Sequence, residues 1–295
     1  MKPATATIFT LMPAAPPETL RQELYGVPLA VEGSAILHQM LRVRWSEWKS
    51  LDSGQKEKIA QEFSHAFDGP EEAGNSALYS LLGHKADLLL LHFRDSFDQL
   101  SAAQLQFDQL QLRDFVEPAS SYVSVIELGL YESSVKLYRS LAEQGIEPHS
   151  PEWKRAAEEL MERQREAMRP RLFPRIPDSR YLSFYPMDRR RGEERNWYRL
   201  SIEERQRQME EHGLVGRRYY GQVQQIISGS IGFDDWEWGV DLFASDPLVF
   251  KRLIYEMRFD EVSAVYALFG AFYLGIRCPA ARLGELLSGK LPAGG

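Results

Sequence analysis

Apolar and polar positions change period along this chain in an order that occurs twice. Residues 35–45 alternate, imperfectly, apolar side chains with polar or basic ones, which predicts a strand half-buried on one face. Residues 55–67 then carry Ile59, Phe63 and Phe67 at helical spacing, with Asp52-Ser53 as a start and Gly69-Pro70 as an expected stop. Two strand-like runs, 76–82 and 86–93, flank Gly83-His84-Lys85 as a hairpin. Residues 96–112 place Phe97, Leu100, Leu105 and Leu112 in one broad stripe, and a Val/Ile-rich strand over 122–130 closes the set.

The same order returns as strand 181–187, helix 201–212, strands 223–230 and 236–243, helix 246–257 and strand 269–276. Ser201-Ile202-Glu203-Glu204 reads as a capping box for the first of these helices. Each set is a βαββαβ, ferredoxin-like unit, so the expected fold class is α+β, built by duplication. Between the sets, 132–169 is charged and helical on either side of 148–151, and three prolines in 169–177 predict an extended connector without regular structure. Two such sheets pack face to face, or close into a barrel, with helices outside. The expected organisation is a flexible extension over 1–30, a first half over 31–131, a helical and proline-rich connector over 132–180, a second half over 181–277 and a tail over 278–295.

Composition narrows the chemistry. The 295 residues are 44% hydrophobic, enough for a sizeable core, and the net charge of −7 argues against nucleic acid as a main partner. Cys278 is the single cysteine, so no intrachain disulfide is possible and a cysteine-held metal site lacks ligands; a reducing cytoplasm is the expected location. No run approaches the roughly 18 consecutive apolar residues that cross a bilayer. Walker loops, dinucleotide-binding glycine fingerprints, nucleophile elbows and HExxH are all missing from the sequence.

Of the six histidines, His38 and His92 sit in strand patterns, His84 in a turn, His149 in the connector and His65 on a polar helix face. His212 stands at the end of a charged helical stretch, before Gly213, which can take the left-handed conformation that stops a helix. Two readings fit it: a helix-terminal imidazole favoured by the dipole, or a metal ligand. No second histidine or carboxylate pair accompanies it at ligand spacing, which disfavours zinc or di-iron; a haem needs only one protein ligand. Arg169, Arg171, Arg175, Arg180 and Arg189-Arg190-Arg191 concentrate positive charge around Tyr181, Phe184 and Tyr185. They form either a solvated face or a pocket for several carboxylates or phosphates. Trp236 and Trp238 follow a glycine- and aspartate-rich turn and are spaced for one face of a strand, as core residues are.

Several longer strings carry a family resemblance: 183–191 (SFYPMDRRR), Asn196-Trp197-Tyr198, 212–219 (HGLVGRRY), 225–239 (QIISGSIGFDDWEWG) and 255–263 (YEMRFDEVS). In order and spacing the chain resembles the coproheme decarboxylases of the chlorite-dismutase-like superfamily. The likeness is dense over 181–277 and looser over about 34–131, where Gly83-His84-Lys85-Ala86-Asp87 and 122–128 (YVSVIEL) match. The resemblance implies a dimeric α+β barrel of two ferredoxin-like halves, assembled as a cytoplasmic homopentamer. It implies iron-coproporphyrin III as substrate and hydrogen peroxide as oxidant, with the 2- and 4-propionates converted to the vinyl groups of haem b. Ferrochelatase is the implied upstream partner.

By the same resemblance, His212 is the proximal iron ligand and Tyr185 the catalytic residue, which passes through a phenoxyl radical. Gln225 is the distal residue, where chlorite dismutases carry arginine. Arg171 and Ser263 anchor propionates, Met187 lines the reactive edge and Arg217 meets the remaining propionates. Arg189 stands where the family usually has lysine, keeping the charge but replacing a point-like ammonium with a planar fork. A non-catalytic haem-binding or haem-delivery protein of the same fold, or a chlorite dismutase, are the alternatives.

Overall fold

The computed structural model describes residues 26–292; residues 1–25, most of the expected flexible extension, and 293–295 lie outside them. The first half runs β1 (Ala30–Val43), α1 (Trp45–Ser50), α2 (Ser53–Glu72), β2 (Ser76–Leu82), β3 (Leu88–Arg94), α3 (Phe97–Asp108) and β4 (Val116–Gly129). The connector holds α4 (Tyr131–Glu143), α5 (Pro151–Ala167) and the short α6 (Arg169–Leu172). The second half follows as β5 (Tyr181–Arg189), α7 (Ile202–Arg217), β6 (Gln224–Gly229), β7 (Trp238–Ala244), α8 (Leu248–Met257), β8 (Ala267–Phe269) and β9 (Tyr273–Cys278), and α9 (Leu283–Leu287) comes last. This is the expected α+β arrangement of two ferredoxin-like halves.

All strand pairs are antiparallel, in the order β4-β1-β3-β2 in the first half and β9-β5-β7-β6 in the second. The halves join twice, β4 to β6 and β2 to β9, so the hydrogen bonding runs round in a ring. Alternation along each strand then separates an enclosed face from an outer one. The enclosed face gathers Ile36, Met40, Tyr79, Leu89, Leu91, Phe93, Tyr122, Phe184, Ile226 and Phe243, which come from every strand from β1 to β7. His38 also points inward, stacked on Phe184 at 3.9 Å, and its Nε2 meets Asp241 Oδ1 across the interior at 2.9 Å with both residues fully buried. The outer face of the first half is covered by α2 and α3 through Ile59, Phe63, Phe67 and Phe107.

Four local expectations need correction. Helix α2 does not stop at Gly69-Pro70 but continues to Glu72, since Pro70 falls in the last turn, where one missing N–H costs little. Its start is the full capping box, with Asp52 accepting from Gln55 N at 2.9 Å and Gln55 accepting from Asp52 N at 3.1 Å. Ser201 caps Glu204 N at 3.1 Å, but the Glu204 carboxylate turns to Arg207 and Gln208 instead of closing the box. Pro170 sits in the first turn of α6, where no N–H is needed, so 169–172 is helical after all.

The fourth correction bears on the site. Gly213 does not end α7, which runs on to Arg217. Val215 continues the buried stripe of Ile202, Arg205 and Gln208 and packs on the sheet; that contact outweighs the roughly 1 kcal/mol cost of an interior glycine. His212 is therefore an interior position of the helix. At the C-terminal end, the expected tail contains α9, whose Leu283 and Leu287 are buried against α2 and whose Leu287 carbonyl accepts from Trp48 Nε1 at 3.1 Å.

Candidate functional site

On β5, Leu182 and Phe184 turn into the ring, so Tyr185 and Met187 turn outward. Directly opposite partners in a sheet share a face: Tyr185 sits opposite Val240, and Val240 opposite Ile227. One step along, Met187 faces Trp238; on the other side of Tyr185, Ser183 faces Leu242, which faces Gln225. Tyr185, Met187, Trp238, Leu242 and Gln225 thus share one outer face. Helices α7 and α8 cover it over β5 and β7 through Val215, Val249, Phe250, Leu253 and Met257. Over β6 the cover ends, leaving Gln225 and Ile227 exposed.

His212 enters this layer from α7, one turn before the buried Val215. Its Nδ1 is 2.8 Å from Asp260 Oδ2, in the turn after α8, and Asp260 Oδ1 accepts from Ser263 N at 2.7 Å. Burial pushes the Asp260 carboxyl up, but the hydrogen bonds from His212 and Ser263 outweigh it and hold the group below its usual range. An ionised Asp260 only accepts, so Nδ1 carries the proton, and in the neutral imidazole Nε2 keeps its lone pair free for a ligand.

Tyr185 is buried and stacks on Phe272 with ring centroids 4.5 Å apart and planes 28° apart. Burial raises its phenol above the usual 10, with Arg189 and Arg258 pulling the other way. Arg189 extends from the end of β5, its guanidinium carbon 5.0 Å over the Trp197 ring and one nitrogen 3.7 Å from Met209 Sδ. Among the described residues no carboxylate lies within ion-pair distance of it, and burial lowers its pKa. Its main chain is fixed instead, with Arg189 N donating to Glu237 Oε2 at 2.9 Å. The indole Nε1 of Trp238 is also buried without a partner among the described residues.

Of the sequence-predicted residues, Tyr185, Met187, Gln225, His212, Arg189 and Ser263 therefore converge on one region of the second half. Arg217, the last residue of α7, is exposed. Arg171 is exposed on α6, which packs against β1 and β4, and it makes no hydrogen bond or ion pair with the others. Asp260, Arg258, Phe272 and Trp238 belong to the same region without having been assigned a part in it. Asp260 lies 48 positions from His212, and only the turn after α8 brings them together. Phe272 depends on a break in the last strand: 270–272 face only Tyr185 and Pro186 of β5, because Met187 pairs with Phe269 and Phe184 with Tyr273. Pro186 has no N–H to offer there, and Gly270 passes where a Cβ would come within 2.8 Å of the Pro186 ring.

Residues 56–278 match the family model described as chlorite dismutase. The chain belongs to the chlorite dismutase family. A protein named coproheme decarboxylase from Staphylococcus saprophyticus is 41% identical over 253 residues, 84% of this chain and 93% of that one. A Haloquadratum walsbyi protein named for heme binding is 43% identical over 90% of this chain, which spans 48% of that longer relative. Among solved structures of the family, one described as a novel heme-binding protein from Thermus thermophilus superposes with a TM-score of 0.74 at 37% identity, covering 89% of this chain and 98% of that one. A mutant chlorite dismutase from Candidatus Nitrospira defluvii shares the fold, with a TM-score of 0.65 at 16% identity over 91% of this chain and 99% of that one. Among the described residues no group of three or more His, Cys, Asp or Glu could hold a metal ion, and no helix is long and apolar enough to cross a membrane.

Proposed function

We infer that this chain is a coproheme decarboxylase, converting the 2- and 4-propionates of iron-coproporphyrin III to vinyl groups and yielding haem b. The observation that carries this reading is Arg189: a partly buried guanidinium with no carboxylate partner among the described residues, beside a buried phenol, in the layer that His212 enters. A cation left desolvated and unpaired in the free protein is costly, and an anionic ligand removes that cost. The unpartnered Trp238 Nε1 adds a donor, and the free Nε2 of His212 suits the iron of the substrate. A flat ligand with several carboxylates and one iron meets all three.

Each decarboxylation consumes one propionate, one hydrogen peroxide and one proton, and yields a vinyl group, carbon dioxide and two waters. His212 holds the substrate through its iron, with Asp260 fixing the ring. Arg189 and Ser263 take propionates and Met187 lines the reacting edge; Arg171 and Arg217, both exposed, keep the propionate-anchoring parts that the resemblance gives them. Tyr185 would give up an electron and its phenolic proton to the oxidant formed from hydrogen peroxide and then take a hydrogen atom from the propionate β-carbon; the carbon radical left behind would lose a second electron to the same oxidant as carbon dioxide leaves and the vinyl group forms. Burial keeps the Tyr185 phenol protonated until it is oxidised. Gln225, exposed on the outer face of β6, would be the distal residue, and its neutral side chain favours this chemistry over chlorite dismutation. A cytoplasmic homopentamer supplied by a ferrochelatase belongs to the same reading.

The test is mass spectrometry of iron-coproporphyrin III incubated with the full chain and peroxide. The expected product has two propionates and forms through a three-propionate intermediate. Tight binding with unchanged mass would instead indicate a haem-binding or haem-delivery protein, and oxygen release from chlorite would indicate a chlorite dismutase.

A further inference from the structure

The hairpin turn Gly83-His84-Lys85 belongs to the first half and lies outside the site described above, yet it reaches into it. Gly83 has φ +96° and His84 φ +61°, the left-handed conformations of the turn that joins β2 to β3. The turn is braced from β1: Arg42 Nη2 donates to Lys85 O at 3.2 Å, Asp87 N to Leu41 O at 2.9 Å, and the Asp87 carboxylate takes Val43 N at 2.8 Å. From this fixed base the Lys85 ammonium donates to the Phe272 carbonyl at 2.5 Å, across 187 residues of sequence, and lies 5.6 Å over the ring of Tyr273.

Phe272 O is a carbonyl that the bulge over 270–272 takes out of the sheet ladder, since pairing with β5 stops at Phe269 and resumes at Tyr273. The same residue carries the ring that lies 4.5 Å from Tyr185. One contact from the first half thus holds the backbone that sets the packing of the phenol in the second. We propose that Lys85 is a positioning residue for Tyr185, clamping the 270–272 bulge so that Phe272 stays stacked on the phenol. Lys85 is exposed and meets this region through Phe272 and Tyr273, so it acts on the reaction through the 270–272 bulge. The part concerning turnover rests on the decarboxylase reading; the part concerning packing does not.

The packing is read by ¹⁹F NMR of the full, ligand-free chain carrying 3-fluorotyrosine at position 185. Lys85→Met is expected to move or broaden the resonance, Lys85→Arg to restore it, and Phe272→Leu to move it by removing the stacked ring. In turnover with iron-coproporphyrin III and peroxide, Lys85→Met is expected to lower kcat about tenfold with KM for the porphyrin unchanged, and Lys85→Arg to recover most of it. A resonance that stays at the wild-type position in Lys85→Met overturns the proposal, whatever the activity. If the unsubstituted chain does not decarboxylate at all, the reaction reading fails, while the resonance still decides the clamp.

Discussion

Asp260 Oδ2 lies 2.8 Å from His212 Nδ1, and its other oxygen takes the backbone N–H of Ser263 at 2.7 Å. The imidazole is thereby fixed in orientation and tautomer by a residue from a different helix turn. Asp260→Ala should weaken binding of an iron porphyrin by about 10- to 100-fold, measured by Soret titration. The Asp260 carboxyl is held low, so this support is present at neutral pH and is lost as pH falls through its depressed value. Porphyrin affinity of the unsubstituted chain should therefore drop on the acid side, with the Asp260→Ala profile lacking that step.

The Tyr185 phenol is raised above its usual value of 10 by burial. The folded chain then keeps a proton that the unfolded chain releases near pH 10, so this residue's contribution to stability is present below pH 10 and lost above it. Difference absorbance of the unsubstituted chain against Tyr185→Phe should show no phenolate appearing at pH 10. A phenolate at that pH would mean that the ring is solvated.

Arg189→Met should have opposite effects on the free and loaded protein. Without ligand it removes an unpaired, desolvated cation and is expected to raise the melting temperature. With iron-coproporphyrin III it should weaken binding by at least about tenfold, and the affinity lost should be smaller for porphyrins with fewer carboxylates. Arg189→Lys keeps the charge but loses the planar contact with Trp197, and an intermediate affinity is expected.

His92, buried between β3 and the helices of the first half, has its pKa lowered to about 3, first by burial and then by Arg94 and His38. Its Nδ1 is 2.8 Å from the Ser76 hydroxyl, and Nε2 has no partner among the described residues. Unfolding below about pH 6.5 lets this imidazole take up a proton that the folded state refuses, so stability should fall as pH drops from about 6.5 towards 3. His92→Leu should flatten that part of a melting-temperature profile.

Strand and helix order was readable because the helices bury one face and expose the other while strands such as β3 and β5, buried on both faces, stand out as short apolar runs, and both halves repeat that arrangement. What the pattern hides is where one contact overrides a local signal. Gly213 reads as a helix stop, yet Val215 lies two residues on and packs on the sheet, so the helix continues and His212 becomes an inward-facing interior residue. Residues 269–276 read as one strand, and nothing in their period marks the bulge that aims Phe272 at Tyr185. The pairing of His212 with Asp260 spans 48 positions and depends on how α7 and α8 pack, which periodicity within either helix does not encode. Tyr185, Met187 and Gln225 share a face because of strand register, and register follows from the enclosed partners Phe184, Asp241 and Ile226 as much as from the residues of the site.

Following iron-coproporphyrin III mass during peroxide addition, with the unsubstituted chain and Tyr185→Phe side by side, decides whether the chain is a decarboxylase that works through Tyr185. Stepwise loss of two carboxylates is expected in the first sample, and in the second retained porphyrin binding with no mass loss. An unchanged porphyrin in the first sample, or equal decarboxylation in both, would contradict that reading.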